Sequence, residues 1–437
     1  MVNILFRRLA ISLLHPGLTV SALKTSQTAD YHIFFRAEAQ RKAFGKRCCG
    51  ACQVFVILPC MPFVVCSRQR REPSFLCVTA SLHEDVFSIN QKASFSMTDR
   101  LTRQDATDLW HEDVFSLGKR AHAARTKRHP GGIVTYIADR NINYTNVCVS
   151  GCKFCAFFRP PGHPEGYVLS REELGTKIRE TVDMGGYQLL LQGGMNPELG
   201  IDFYTSMLSF IKKEFPLVAV HGFSPPEIVF LADKENLSLE ETITVLHKAG
   251  LDSIPGGGAE ILVNDIRARI SPQKCNADQW IEVMETAHNL GLKTTATMMF
   301  GHVESFEDRL EHLDRIRDLQ DRTGGFTAFI PWTFQPHNTL IKTPEISSVE
   351  YLKFLALSRL YLDNIENIQA SWVTQGPMIG QLALFWGAND FGSTMQEENV
   401  VAATGCRFRL AEEKIRQIIS SAGFTPRRRS MDYTLLD

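Results

Sequence analysis

Long apolar runs are missing from this 437-residue chain. The stretch from Val54 to Cys66 is apolar but spans only 13 residues and is broken by Pro59 and Pro62, whereas a helix needs about 20 residues to cross a bilayer. A charge excess is missing too: 47 Lys and Arg against 48 Asp and Glu leave −1, which argues against nucleic-acid and membrane-surface partners. Arg7 and Arg8 sit beside apolar residues, but no defined apolar core with a small-residue cleavage site follows, so no export signal is read. A disulfide framework is absent as well. The 11 cysteines are odd in number and unevenly spread, and free thiols imply a reducing, cytoplasmic setting. What remains, 44% hydrophobic and 22% charged residues, is an ordinary globular composition with room for one large domain and an extension.

Inside that average the chain changes character near Met97. Residues 1–96 hold 12 Lys and Arg against 5 Asp and Glu, a balance of +7, leaving −8 for the remainder. Six cysteines (Cys48, Cys49, Cys52, Cys60, Cys66 and Cys77) fall there at spacings that match no zinc-ligand pattern. The hexapeptide His83 to Ser88 recurs as His111 to Ser116, far short of a repeat architecture. We expect residues 1–96 to be a basic, Cys-containing extension, disordered or not native, with Met97 the functional start. Residues 97–130 read as a helical lead-in punctuated by Pro130-Gly131-Gly132, and 131–437 as a barrel with C-terminal helices.

The barrel rests on periodicity. Short β-branched or apolar runs begin near Ile133, Tyr187, Leu217, Leu251, Leu292, Phe326, Asn367 and Ala388, with helix-period segments between them. Ser170, Ser238, Asn276 and Ser347 each precede a Glu or Gln by three residues at the head of such a segment, the signature of a capping box. Eight alternations over about 290 residues predict an α/β fold of the (β/α)8, TIM-barrel-like kind. A doubly wound open sheet is the alternative, but polar and Gly-rich residues cluster after nearly every strand, as they do at a barrel mouth.

The first strand end carries Cys148, Cys152 and Cys155 in C-x3-C-x2-C spacing, preceded by Asn143-Tyr144-Thr145-Asn146. Three thiolates within eight residues reach one compact centre but serve only three irons of a [4Fe-4S] cubane. Unrelated thiols on one loop, or a zinc site, are the competing readings, and zinc needs a fourth Cys or His that the neighbourhood does not offer at familiar spacing. The triplet resembles the signature of the radical S-adenosylmethionine (SAM) superfamily, in which SAM chelates the remaining iron. That resemblance implies cofactor contacts in the following loops. Phe154 and Phe157 would pack near the adenine, although both also suit rim core. Gly193 and Gly194 would hold the SAM amino group through backbone alone, because Met195 stands where the superfamily has an acidic residue. Ser224 and Glu260 would meet polar groups of SAM, and Arg267 its carboxylate; a solvated helix-face arginine is the plain alternative.

Four runs narrow the resemblance: Asp139 to Cys148, Pro255 to Glu260, Phe326 to Trp332 and Gln369 to Val373. Together they resemble the cyclic dehypoxanthinyl futalosine synthase family of the futalosine route to menaquinone, over roughly residue 100 to the C-terminus. The resemblance implies a [4Fe-4S] cluster and SAM as cofactors, dehypoxanthine futalosine as substrate, and a low-potential donor such as flavodoxin or ferredoxin. It further implies hydrogen abstraction at the ribose C4′, ring closure onto the aromatic ring, and loss of a proton and an electron. His302, Glu304 and Asp390 are the candidates to accept that proton, and Gln192, Trp332, Gln335, Trp372, Gln375 and Asn389 the candidate substrate contacts. Aminofutalosine synthase-like and deazaflavin-forming radical SAM enzymes remain alternatives, as does a non-catalytic iron-sulfur or zinc-binding scaffold.

Overall fold

The computed structural model describes residues 100–436 and, before them, four short strands: β1 (Leu18–Lys24), β2 (Tyr31–Ala37), β3 (Gln53–Val56) and β4 (Val64–Cys66). These pair antiparallel in that order. The chain divides into two compact units, Met1–Met97 and Thr98–Asp437. Cys48, Cys49, Cys52, Cys60 and Cys77 lie outside the described residues. No described helix is long and apolar enough to cross a membrane.

The second unit opens with α1 (Arg103–His111) and α2 (Val114–Arg128). Thr102 and Asp113 cap them, each side chain accepting from the first turn's N–H groups. The first barrel strand then comes in two pieces, β5 (Ile133–Ile137) and β6 (Asp139–Ile142), broken at Ala138. From β6 a parallel sheet continues through β7 (Gln188–Leu191), β8 (Ala219–Gly222), β9 (Ser253–Ile254), β10 (Lys293–Phe300), β11 (Phe326–Thr333) and β12 (Asn367–Ile368). At its far edge Asn389 N donates to Ile368 O (3.1 Å) and Ala370 N to Asp390 O (2.9 Å), carrying the ladder to β13 (Asp390–Ser393). Since β13 pairs parallel with β5, the ring closes on the strand that began it. Closure rules out the open doubly wound sheet.

Helices cover the outside: α3 (Arg171–Asp183), α4 (Ile201–Glu214), α5 (Pro225–Glu235), α6 (Leu239–Ala249), α7 (Asn264–Ile270), α8 (Ala277–Asn289), α9 (Phe306–Thr323) and α10 (Ser348–Tyr361). Three of the four expected capping boxes form, at Ser170, Ser238 and Asn276. The fourth is only half made. Ser347 accepts from Glu350 N, but the Glu350 carboxylate turns to Arg309 (2.8 Å). Helix α10 buries residues all around its circumference, among them Tyr351, Phe354, Leu355 and Tyr361, which is how a helix reads when it is covered on several sides.

One strand was not expected. β14 (Thr425–Arg428) pairs parallel with β5 and has no apolar alternation to announce it. It delivers Arg429 to the end of the barrel where the strands begin. There Arg429 Nε lies 2.5 Å from Asp390 Oδ2, and its guanidinium stacks 3.9 Å over Tyr433. Asp139, buried beside this cluster, has its pKa pushed up to about 6 by burial, against hydrogen bonds from Ser393 and Gln188 and the Arg429 charge.

Candidate active site

At the opposite end, where the strands finish, lies a cavity of about 220 Å³. Cys148, Cys152, Cys155, Phe154 and Phe157 line it from the loop after β6, and Gln192, Gly193 and Gly194 from the loop after β7. Ser224 and Glu227 enter from the head of α5, Glu260 from beyond β9, Met299 from β10, and Trp332, Phe334 and Gln335 from β11 and its end. The barrel thus brings twelve of the residues singled out from sequence to one wall: the triplet, Phe154, Phe157, Gln192, Gly193, Gly194, Ser224, Glu260, Trp332 and Gln335.

The thiol loop is stapled on several sides. Cys148 N donates to Arg159 O (2.9 Å), Val149 N to Met195 O (3.0 Å), Lys153 N to Ile270 O (2.9 Å), and Leu340 N to Lys153 O (2.8 Å). Cys148 Sγ sits 3.0 Å and Cys152 Sγ 3.3 Å from the same Ser150 hydroxyl. Two backbone N–H groups, Met195 (3.3 Å) and Ser150 (3.5 Å), point at Cys148 Sγ. Donors aimed at sulfur are what an anionic thiolate or cluster requires, and they tune its potential. Among the described residues no three His, Cys, Asp or Glu groups converge tightly enough for one ion. Three thiols on one loop with N–H groups aimed at sulfur suit a cluster, in which each thiolate would serve its own iron. Burial pushes the Cys152 thiol up to about 11 and raises Cys155, while the Lys274 charge works in the other direction on both.

Two wall residues escaped the sequence reading. Glu227 takes four hydrogen bonds: from Ser224 N (2.7 Å) and Oγ (2.5 Å) on one oxygen, and from the Tyr144 hydroxyl (2.5 Å) and Gly193 N (3.0 Å) on the other. Burial raises its pKa in spite of them. The pattern Ser224-x-x-Glu227 was legible as a capping box for α5, but its reach across to Gly193 was not. Lys274 belongs to no motif. Its ammonium lies 3.0 Å from Glu260 Oε1 and 5.2 Å over the Phe154 ring. Burial opposes that charge, yet the Cys152 sulfur and the Glu260 carboxylate prevail and hold its pKa above the ordinary lysine value. Glu260 itself adopts a left-handed backbone (φ 41°), and its Oε2, buried, has no hydrogen-bond partner. Strained non-glycine backbone of this kind gathers at functional sites.

Seven expected site residues stand elsewhere. Arg267 is buried beneath the triple-glycine loop, its guanidinium donating to Ala259 O (2.6 Å), Gly258 O (3.1 Å) and Cys275 O (2.6 Å). It braces that loop and is not on the cavity wall. His302 (3.1 Å from Glu304) and Glu304 (2.9 Å from Arg309) line a second, separate pocket. His302 adjoins the first through Phe334, against which it packs edge-on at 6.2 Å between ring centroids, and through the Met299 backbone. Asp390 is fully buried in the Arg429 cluster, and Asn389 bonds Arg359 and Asn367 within the barrel. Trp372 donates to Ser393 O (3.2 Å) and stacks on Phe391. Gln375 is one step removed from the cavity, donating to Thr333 Oγ1 (2.8 Å), which Gln335 also contacts (3.3 Å). Asp390, Asn389, Trp372 and Gln375 go to hydrogen-bond partners 21 to 42 positions away, whereas His302, Glu304 and Arg267 are taken by groups within nine residues.

Residues 142–316, which include the triplet and the Gly193-Gly194 turn, match the family model of the radical SAM superfamily, and residues 323–437 match that of the CofH/MqnC C-terminal region. A cyclic dehypoxanthine futalosine synthase from Halalkalibacterium halodurans is 50% identical over 340 residues, 77% of this chain and 92% of that protein. The chain belongs to the radical SAM superfamily, in its CofH/MqnC branch. A second synthase of that name, from Streptomyces coelicolor, is 44% identical over 76% of this chain and 85% of its own length. The superfamily also contains a relative with another name: the 5-amino-6-(D-ribitylamino)uracil–L-tyrosine 4-hydroxyphenyl transferase of Methanopyrus kandleri, 42% identical over 71% of this chain and 86% of its own. Among solved structures, methylornithine synthase has the same fold at TM-score 0.60 and 18% identity, over 75% of this chain and 95% of that one. Membership in a radical SAM family implies a [4Fe-4S] cluster and SAM, and the donors around Cys148 fit that requirement.

Proposed function

We propose that this radical SAM enzyme is a cyclase that converts dehypoxanthine futalosine to its cyclic, two-hydrogen-poorer product in menaquinone biosynthesis. One observation carries the reading: a chain 50% identical to a synthase of that product places its three thiols and an aromatic, amide-bearing wall around one cavity. When bound, the cluster and SAM supply a 5′-deoxyadenosyl radical that takes the ribose C4′ hydrogen. The protein's own tasks are binding, orientation and exclusion of other hydrogen donors. Cys148, Cys152 and Cys155 hold the cluster. The Gly193-Gly194 turn, fixed from behind by Glu227, presents backbone to the SAM amino group, and Glu260 Oε2, which takes no hydrogen bond and has only Arg267 Nη1 near it at 3.7 Å, accepts from its polar hydrogens. Trp332, Phe334 and Gln335 hold the substrate ring beside its ribose so that the new C–C bond forms there. Ring closure would leave one proton to pass to water and one electron to return to the oxidised cluster, so a low-potential carrier such as flavodoxin or ferredoxin would be needed to reduce the cluster at the outset, in a reducing, cytoplasmic setting.

The transferase name of the Methanopyrus kandleri relative favours a second reading, joining of tyrosine's ring to a ribityl-uracil. Anaerobically reconstituted, reduced protein separates the two. Given dehypoxanthine futalosine it should return a product two mass units lighter, with one 5′-deoxyadenosine per turnover. Conversion of the uracil and tyrosine pair instead would overturn the cyclase assignment, and failure to cleave SAM at all would point to a non-catalytic scaffold.

A further inference from the structure

We infer that residues 396–404 are a substrate-binding wall for the flat aromatic part of the substrate, and that Glu398 is the positioning residue that holds this wall over the cavity. The inference rests on the cavity being the active site, as proposed above. Val400, Val401 and Thr404 line the cavity, although they follow the last strand of the ring and belong to no strand-end motif. The segment is anchored along its length to the first barrel strand. Glu397 lies 2.6 Å from Arg140 and 2.8 Å from Lys177, and Asn399 Nδ2 donates to Asn143 Oδ1 (3.2 Å). Its far end is held by Asn338 Nδ2, which donates to Ala403 O (2.9 Å).

Glu398 is the centre of this anchorage. One carboxylate oxygen accepts from Val400 N (2.7 Å) and Val401 N (2.8 Å), and the other from Asn141 Nδ2 (2.7 Å). Glu398 is half-buried, and three donors at these distances on its two oxygens mark a built contact. It ties the backbone of both valines to the strand that ends in the cysteine triplet, so the wall keeps a fixed distance from the thiols. Two isopropyl groups share the cavity with the Trp332 indole and the Phe334 ring, while Gln335 and Asn143 supply amides. Such a lining packs the faces of a flat aromatic ring and leaves the amides for its polar substituents. The wall falls within residues 323–437, outside the region matched as radical SAM, and so belongs to the part that adapts common radical chemistry to a particular substrate.

Reconstituted holoenzyme of wild type, Glu398→Ala and Val401→Thr tests this with dehypoxanthine futalosine as the probe. Glu398→Ala leaves two N–H groups unmet, and Val401→Thr puts a hydroxyl on an apolar wall of the same shape; each should raise KM by about tenfold. Both should also raise the 5′-deoxyadenosine formed per product, Glu398→Ala because a loosened wall admits competing hydrogen donors and Val401→Thr because the ring is held less well against a polar surface. Iron content and SAM affinity should stay at wild-type values. Val401→Thr retains every anchor, so it decides the matter if Glu398→Ala does not fold. Unchanged KM and coupling, or a loss confined to SAM binding, would overturn the wall. If wild type leaves dehypoxanthine futalosine untouched, the substrate assignment has failed instead, and the same comparison with 5-amino-6-(D-ribitylamino)uracil and tyrosine decides the wall.

Discussion

Gly194→Ala tests how tightly the cluster loop is built. A Cβ at Gly194 falls 2.1 Å from the Val147 carbonyl oxygen, 2.7 Å from its carbon and 2.8 Å from Cys148 Cβ. No flexible side chain can swing away to relieve this. Gly194 N is bonded to Thr145 O (3.1 Å) and Val149 N to Met195 O (3.0 Å), so both sides of the clash are tied backbone. Comfortable carbon contacts begin near 3.5 Å, so the turn must retreat by roughly 1 Å or more. Overpacking ordinarily costs about 1–3 kcal/mol, and two pinned backbones place this case at the upper end, about 3 kcal/mol. For a domain of this size that lowers Tm by roughly 4 °C. If the turn yields instead, it carries Met195 N away from Cys148 Sγ and the iron bound per chain falls. Differential scanning fluorimetry and iron analysis on reconstituted protein read both outcomes. Gly151→Ala is the control: its φ is +56° but nothing stands within 4 Å, so only backbone strain of about 1–2 kcal/mol is expected, with iron retained. Wild-type Tm and wild-type iron in Gly194→Ala would refute the reasoning.

Asp139→Asn probes the buried carboxyl whose pKa stands at about 6 against an ordinary 3.8. A raised pKa means the folded chain holds a proton the unfolded chain releases. The stabilisation is full below 3.8 and lost as pH rises through 6, up to about 3 kcal/mol. The urea midpoint of Asp139→Asn should therefore gain on wild type between about pH 4 and 6.5, the window set by the two pKa values, and a constant gap there would contradict the assignment. Arg267→Lys should lose about 2–4 kcal/mol of stability, since an ammonium cannot replace the planar fork that spans Gly258, Ala259 and Cys275 carbonyls; a variant with native Tm but weakened SAM binding would restore Arg267 to the cofactor site. Asp390→Asn should destabilise by about 3–5 kcal/mol by leaving Arg429 buried without its counter-charge, seen as a lower Tm. A normal Tm with lost turnover would return Asp390 to the chemistry. A chain starting at Met97 should fold and bind the cluster as the full chain does, and lower iron content per chain would count against that boundary.

Short-range patterns were enough for much of this molecule. C-x3-C-x2-C fixes three thiols on one loop whatever the rest does, because eight residues cannot travel far from one another. Strand periodicity gave the alternation, and capping residues gave helix starts, since both depend on neighbours within four positions. Once the barrel is accepted, strand ends must converge, so Gly193, Glu260 and Trp332 could be placed at one mouth before their contacts were known.

What the sequence left open were choices between partners far apart along the chain. Asp390 looked like a mouth residue because it ends a strand motif, but Arg429, 39 positions on, claims it for the opposite end of the barrel. Arg267 looked like an anion clamp until three carbonyls took its donors. Glu227 showed only as a helix cap, Lys274 and the valines held by Glu398 carry no motif, and only packing brings them to the cavity. Covalent spacing determined that three thiols share one loop, and so which cofactor that loop could hold. Long-range hydrogen bonds and burial, which no local pattern encodes, decided which side chains are left to meet the substrate.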